Sequence, residues 1–135
     1  MKRKNLTARK KAKENKFLTK DSKILDYYKK FKSIIFKYIE HKSFALAVSG
    51  GSDSLCLAYF SKMYASQFGN KIHVLIVDHN LRKKSHQEAL KVKVALRKKR
   101  ILSTILRWKG KVPKSNIQKK ARDIRYAMLS NYCFK

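Results

Sequence analysis

A short apolar run, Phe44–Val48, leads directly into Ser49-Gly50-Gly51-Ser52-Asp53-Ser54, and an apolar, helix-like segment follows from Leu55. Strand, glycine turn and helix in that order form a phosphate cradle. Paired glycines let the backbone approach a ligand closely and adopt conformations closed to other residues. The start of the helix offers unpaired N–H groups and the positive end of its dipole to an anion. Ser49, Ser52 and Ser54 add hydroxyl donors. Asp53 stands out, because a carboxylate repels phosphate. It fits as a helix N-cap, or as a ligand for a metal ion that neutralises the phosphates.

The surrounding pattern supplies a scaffold. The segment from Ser54 to Phe68 predicts a helix stopped at Gly69-Asn70. Ile72–Val77 is rich in β-branched residues and predicts a second buried strand. A polar loop, Asp78 to Lys84, follows. Ser85-His86-Gln87-Glu88 has the form of a capping box for a helix reaching about Lys99. Ile101 to Trp108 predicts a third strand. Ser115 or Asn116 caps a last helix with Ile117, Ala121, Ile124 and Met128 on one face. Strands separated by helices imply an α/β fold with a parallel sheet, whose ligands sit at the carboxyl ends of the strands near a switch point. Both polar clusters, Ser49–Ser54 and Asp78-His79-Asn80-Leu81-Arg82, fall at that edge.

Ahead of this section, Ile24, Tyr27, Tyr28, Phe31, Ile34, Ile35, Tyr38 and Ile39 recur at helical spacing, with Asp21 or Ser22 as the cap. The stripe predicts a core face, and its interleaved lysines leave an RNA-stacking surface as the alternative. Residues 1–20 are basic with almost no apolar content, which predicts a disordered arm and a domain over 21–135.

At 135 residues the chain suits one domain, and 44% hydrophobic residues suffice for a core. Its 35 Lys and Arg against 8 Asp and Glu give a net charge of +27. Such a field attracts polyanions, nucleic acid first among them, and disfavours cationic partners. An AT-rich genome also enriches Lys, Ile, Asn, Tyr and Phe, although such chains usually balance Lys with Glu. Cys56 and Cys133 fit neither a disulfide framework nor a C-x-x-C metal spacing, and are expected to be buried, inert thiols in a reducing compartment. No run is apolar enough to span a bilayer and no signal peptide is legible, so a soluble cytoplasmic protein without a membrane partner is expected.

The glycine loop lacks the spacing and the Lys-Ser/Thr pair of a Walker loop, and it is not G-x-G-x-x-G. S-G-G-x-D-S after a strand resembles the PP-loop ATP pyrophosphatases. Val77-Asp78-His79-Asn80-Leu81-Arg82 resembles the V-D-H-x-L-R segment of tRNA(Ile)-lysidine synthetases, and Ala121-Arg122-Asp123-Ile124-Arg125-Tyr126-Ala127-Met128-Leu129 is similar to their A-R-x-x-R-Y-x-x-L helix. The resemblance covers roughly residues 25–133 in three motifs. It implies a three-layer parallel sheet of the adenine nucleotide alpha-hydrolase type, here truncated to about three strands with an extra N-terminal helix.

It further implies a ligase that modifies the wobble cytidine of isoleucine tRNA with a CAU anticodon. The carbon-2 oxygen of cytosine attacks the α-phosphate of ATP and pyrophosphate leaves. The amine of free lysine then displaces AMP. No side-chain nucleophile is required, and catalysis rests on position and charge neutralisation. By resemblance Ser49, Gly50, Gly51, Ser52, Asp53, Ser54, Asp78 and His79 hold ATP. Asp53 also serves as the catalytic, Mg2+-associated carboxylate. Arg122 and Arg125, three apart on a helix, contact phosphate or tRNA; the alternative is a solvated helix charge for Arg125 and a satisfied loop histidine for His79. His73 is expected to be structural, and His41 and His86 offer no site argument.

The family continues into a fourth strand, an H-x-x-D-D-Q-x-E-like motif and tRNA-holding domains that the sequence does not contain. Two other expectations therefore stand beside the ligase: an inactive remnant that binds ATP and RNA, and a PP-loop tRNA thiolase. The latter's C-x-x-C cysteines are absent from the sequence.

Overall fold

The structure, a computed structural model, describes residues 20–135. The expected basic arm at 1–20 thus lies, apart from Lys20, outside the described residues. Four helices and three strands alternate: α1 (Ser22–Ile39), β1 (Phe44–Ala47), α2 (Ser52–Phe68), β2 (Ile72–Asp78), α3 (Ser85–Lys98), β3 (Ser103–Arg107) and α4 (Ile117–Cys133). The sheet is parallel with β2 central. Val74 to Asp78 run in register with Ser103 to Arg107. Phe44 and Val48 donate to the carbonyls of Lys71 and Leu75, an equal step along both chains. The order β1-β2-β3 never reverses, so no switch point falls among the described strands.

The chain divides into two compact units, one with the described residues up to Phe44 plus Tyr59–Ile72, the other with Ala45–Ala58 plus His73–Lys135. In the first unit, α1 starts where the Asp21 carboxylate accepts from the N–H groups of Lys23 (2.9 Å) and Ile24 (3.3 Å), confirming Asp21 as the cap. The unit's core gathers Tyr28, Met63 and Tyr64 with Phe31, Ile35, Ile39, Phe44, Phe60 and Phe68 around them. The Tyr64 and Phe68 rings lie 4.6 Å apart. Each buried phenol has an acceptor: Gln67 Oε1 for Tyr28 (2.8 Å) and the Glu40 carbonyl for Tyr64 (2.9 Å). Burial, reinforced by Tyr64, pushes the Tyr28 hydroxyl up to about 12, and burial likewise raises Tyr64. The predicted stripe of α1 therefore splits. Tyr28, Phe31, Ile35 and Ile39 pack inward, while Tyr27, Ile34 and Tyr38 remain 64%, 60% and 76% exposed.

The second unit is built on β2, where Val74, Leu75 and Ile76 are all buried, as expected for a strand flanked on both edges. Leu46, Val48, Ala58, Ala89, Leu96 and Ile101 complete its core. His73 Nδ1 sits 3.2 Å from the Tyr132 hydroxyl, linking β2 to α4, a structural role as expected.

Two local expectations are corrected, and the cap of α4 falls on Asn116, one of the two residues expected there. The capping box at Ser85 does not form: Lys84 is the cap residue and makes no side-chain bond, because the Ser85 hydroxyl is drawn to Asp78 instead. Asn116 occupies the cap of α4 in a left-handed conformation (φ +51°) without a side-chain bond. Cys56 and Cys133 are both exposed. Cys133 ends α4, a helix with no buried residue, and Cys56 lies on an outward turn of α2.

Candidate nucleotide site

Within the second unit the loop after β1 turns on Gly50, whose φ of +96° is open only to glycine. A methyl group there would collide with Val92 of α3, so the loop also needs glycine for close packing. Ser54 braces the turn from inside. Its hydroxyl donates to the Gly51 carbonyl (2.9 Å), accepts from the Gly50 N–H (3.2 Å) and lies 3.3 Å from the Ser49 hydroxyl. Ser54 is thus engaged by its own loop. Asp53 sits in the first turn of α2, where a carboxylate complements the helix dipole, and accepts from the Ser52 hydroxyl at 3.3 Å. The N–H groups of that first turn have no intrahelical partner and remain for an anion.

The second cluster is organised by Asp78, the last residue of β2 and 1% exposed. Its Oδ1 accepts from the Ser85 hydroxyl (2.7 Å) and the Asn80 N–H (3.0 Å). Its Oδ2 faces His86 Nδ1 (3.0 Å) and Arg107 Nε (3.5 Å). Burial by itself pushes this carboxyl up; the bonds from Ser85, Asn80 and His86 and the Arg107 charge outweigh it and hold it below the ordinary carboxylate range. The Asp78 carbonyl also accepts from the Trp108 N–H (2.9 Å), and Arg107 reaches Asn80 Oδ1 (3.3 Å). One buried carboxylate therefore fastens the ends of β2 and β3 and the start of α3. Asn80 tolerates its φ of +51° as asparagine does. His79 Nδ1 accepts from the Leu81 N–H (3.2 Å), which puts the proton of a neutral ring on Nε2.

A cavity of about 400 Å³ opens beside these loops. Its wall takes Ser49 after β1, His79 and Arg82 after β2, Glu88 and Val92 of α3, and Arg125 and Tyr126 of α4. All three sequence motifs contribute to it. Among the expected site residues, Ser49, His79 and Arg125 line the cavity. Gly50 to Ser54 and Asp78 do not line it; Asp78 is buried and bonds Ser85, which does. Arg122 does not line it; its guanidinium lies over the Tyr126 ring, 5.5 Å from the centroid. Arg82 pairs with Glu88 at 3.4 Å, an exposed and hence weak bridge.

Ser85, His86 and Arg107 were missed by sequence reasoning. The polar Ser-His pair opening a helix seven residues after Asp78 was the available signal for the first two. Arg107 could only be found from strand register. The donor set fits a nucleotide: helix N–H groups and Arg125 suit phosphate, and the apolar wall suits a base. Among the described residues no group of three or more His, Cys, Asp or Glu could hold a metal unaided. A lone carboxylate such as Asp53 still fits Mg2+, which takes one or two protein carboxylates plus phosphate oxygens.

Known proteins resemble the chain along most of its length. Residues 20–135 match the family described as a PP-loop domain. A tRNA(Ile)-lysidine synthase of Bartonella quintana is 43% identical over 94 residues, covering 68% of this chain and 20% of the relative. That of Orientia tsutsugamushi is 39% identical over 94 residues, 70% and 21% respectively. That of Rickettsia rickettsii is 33% identical over 111 residues, 80% and 23%. The chain thus spans about a fifth of the length of the curated relatives it matches. No solved structure matches significantly. A PP-loop sequence, a parallel α/β sheet and a match over 20–135 lead to one assignment: this chain belongs to the PP-loop domain family, and its curated relatives are tRNA(Ile)-lysidine synthases.

Proposed function

We propose that the chain is the ATP-binding part of a cytoplasmic ligase that adenylates the wobble cytidine of isoleucine tRNA and joins lysine to it. The observation that carries the reading is the convergence of three motifs, through Ser49, His79 with Arg82, and Arg125, on one cavity beside a glycine turn. ATP would supply the activating adenylyl group. In this reading the first-turn amides of α2 receive the pyrophosphate end. Asp53 carries Mg2+, whose charge offsets that of the phosphates. Arg125 neutralises phosphate from the opposite wall, and His79 and Arg82 bound the nucleoside. Asp78 acts by positioning their loop. The test is pyrophosphate release from ATP with unmodified isoleucine tRNA and lysine. Asp53→Ala should abolish it while leaving the melting temperature within a few degrees, since Asp53 is exposed. Undiminished release by Asp53→Ala would remove that residue from the chemistry.

The net charge of +27 and the cavity lined by Arg125 also suit a second reading, an ATP- and RNA-binding part without turnover of its own. Saturable ATP binding that depends on Arg125, without pyrophosphate release, would select it.

A further inference from the structure

The outer face of α1 is not used by the nucleotide site and is not covered by the core. Tyr27, Ile34 and Tyr38 are more than half exposed and lie within roughly 40° of one another on a helical projection. Beside them, in an adjacent arc of similar width, stand the exposed Lys23, Lys30 and Lys37, repeating every ~10.5 Å along the axis. The one carboxylate on α1, Asp26, is paired with Lys29 at 3.0 Å. We propose that this face binds unpaired RNA: the two phenol rings stack on bases, and the lysine row follows the backbone phosphates.

Charge chooses the occupant. A second copy of a chain carrying +27 would be repelled, as would a basic partner, whereas a polyanion releases counterions on docking. An anionic bilayer also attracts lysine. However, the more apolar side of α1, with Phe31, Ile35 and Ile39, is committed to the core, and the residues more than half exposed are two amphipathic rings and one isoleucine, with Ile24 and Phe36 less exposed at 36% and 42%. Aromatic rings alternating with cations are the recurring device for holding single strands without sequence preference. The proposal deepens the RNA half of the function above and rests on that reading only for the identity of the RNA.

The experiment uses the full chain and a fluorescein-labelled oligouridine of roughly 12 nucleotides, followed by anisotropy across a salt series. Y27A/Y38A should weaken binding about tenfold with an unchanged salt slope, and Y27F/Y38F should bind as the original does. K23Q/K30Q/K37Q should lower the slope of log affinity against log salt by about 2. All five substituted positions are exposed, and an unchanged far-ultraviolet circular dichroism spectrum verifies the fold. Unaltered oligouridine binding by Y27A/Y38A would overturn the proposal. So would a defect confined to phosphatidylserine vesicles, which would make the face a membrane contact. ATP binding is measured separately on the same variants. Intact nucleotide binding with an absent tyrosine effect overturns this inference alone, and the reverse result overturns only the nucleotide site.

Discussion

The Ser85 hydroxyl donates to the buried Oδ1 of Asp78 across 2.7 Å, tying the first residue of α3 to the last residue of β2. Around this bond the Asp78 carboxylate collects Asn80, His86 and Arg107, so the loop that brings His79 and Arg82 to the cavity hangs from one side chain.

Asp78→Asn keeps the shape and removes the charge that His86 and Arg107 face. We expect a loss of about 2–4 kcal/mol in urea denaturation at neutral pH. Because the folded carboxyl is held below its ordinary value, its contribution is present above the unfolded value and is lost as pH falls through the folded one. The original chain should therefore weaken on acidification below about pH 4, and this acid limb should be shallower in the variant.

Gly50→Ala adds a methyl group against Val92 on a backbone with φ of +96°. The expected cost is about 2–4 kcal/mol, part conformational and part steric. Adding Val92→Ala should return the steric part only, so thermal melts of the four members of the cycle should show a favourable coupling of about 1 kcal/mol between the two sites.

Arg122 and Arg125 share a motif, but only Arg125 lines the cavity. Arg125→Ala should reduce ATP affinity about tenfold, as loss of a charge-assisted phosphate bond does, and Arg122→Ala less than threefold. Titration with a fluorescent ATP analogue separates them. Equal effects would contradict the assignment.

Tyr28 is raised to about 12 and donates to Gln67. Its phenol is neutral in both states below pH 10, so its stabilisation is complete there. As pH rises from about 10 to 12 the unfolded chain ionises first and stability falls, by something on the order of 1–2 kcal/mol. Tyr28→Phe should lower stability at neutral pH and flatten this alkaline decline in denaturant titrations.

Local pattern carried much of the architecture. β-branched Ile72–Val77 could bury both faces, so its reading as a buried strand held, and the sheet order made it central. Gly69 ended α2 at φ +76°, and Asp21 capped α1. Other positions answered to long-range forces. Ser85-His86-Gln87-Glu88 reads locally as a capping box, yet a buried carboxylate from β2 competes for the serine and wins, because an unsatisfied buried charge costs more than an uncapped helix end.

From the sequence alone followed the order of strands and helices, the glycine turn and the excess of positive charge, since each depends on neighbours in the chain; the helix after the turn begins at Ser52, so Asp53 falls in its first turn rather than at its cap. Tertiary structure decided the rest. Helical periodicity names a stripe but not how wide a partner covers it, so only packing could divide Tyr28 and Phe31 from Tyr27 and Tyr38. Strand register set Arg107 opposite Asp78. Folding also distinguished Ser49, at the cavity, from Ser54, which holds the loop, because hydrogen-bond direction is a property of three-dimensional placement rather than of residue type.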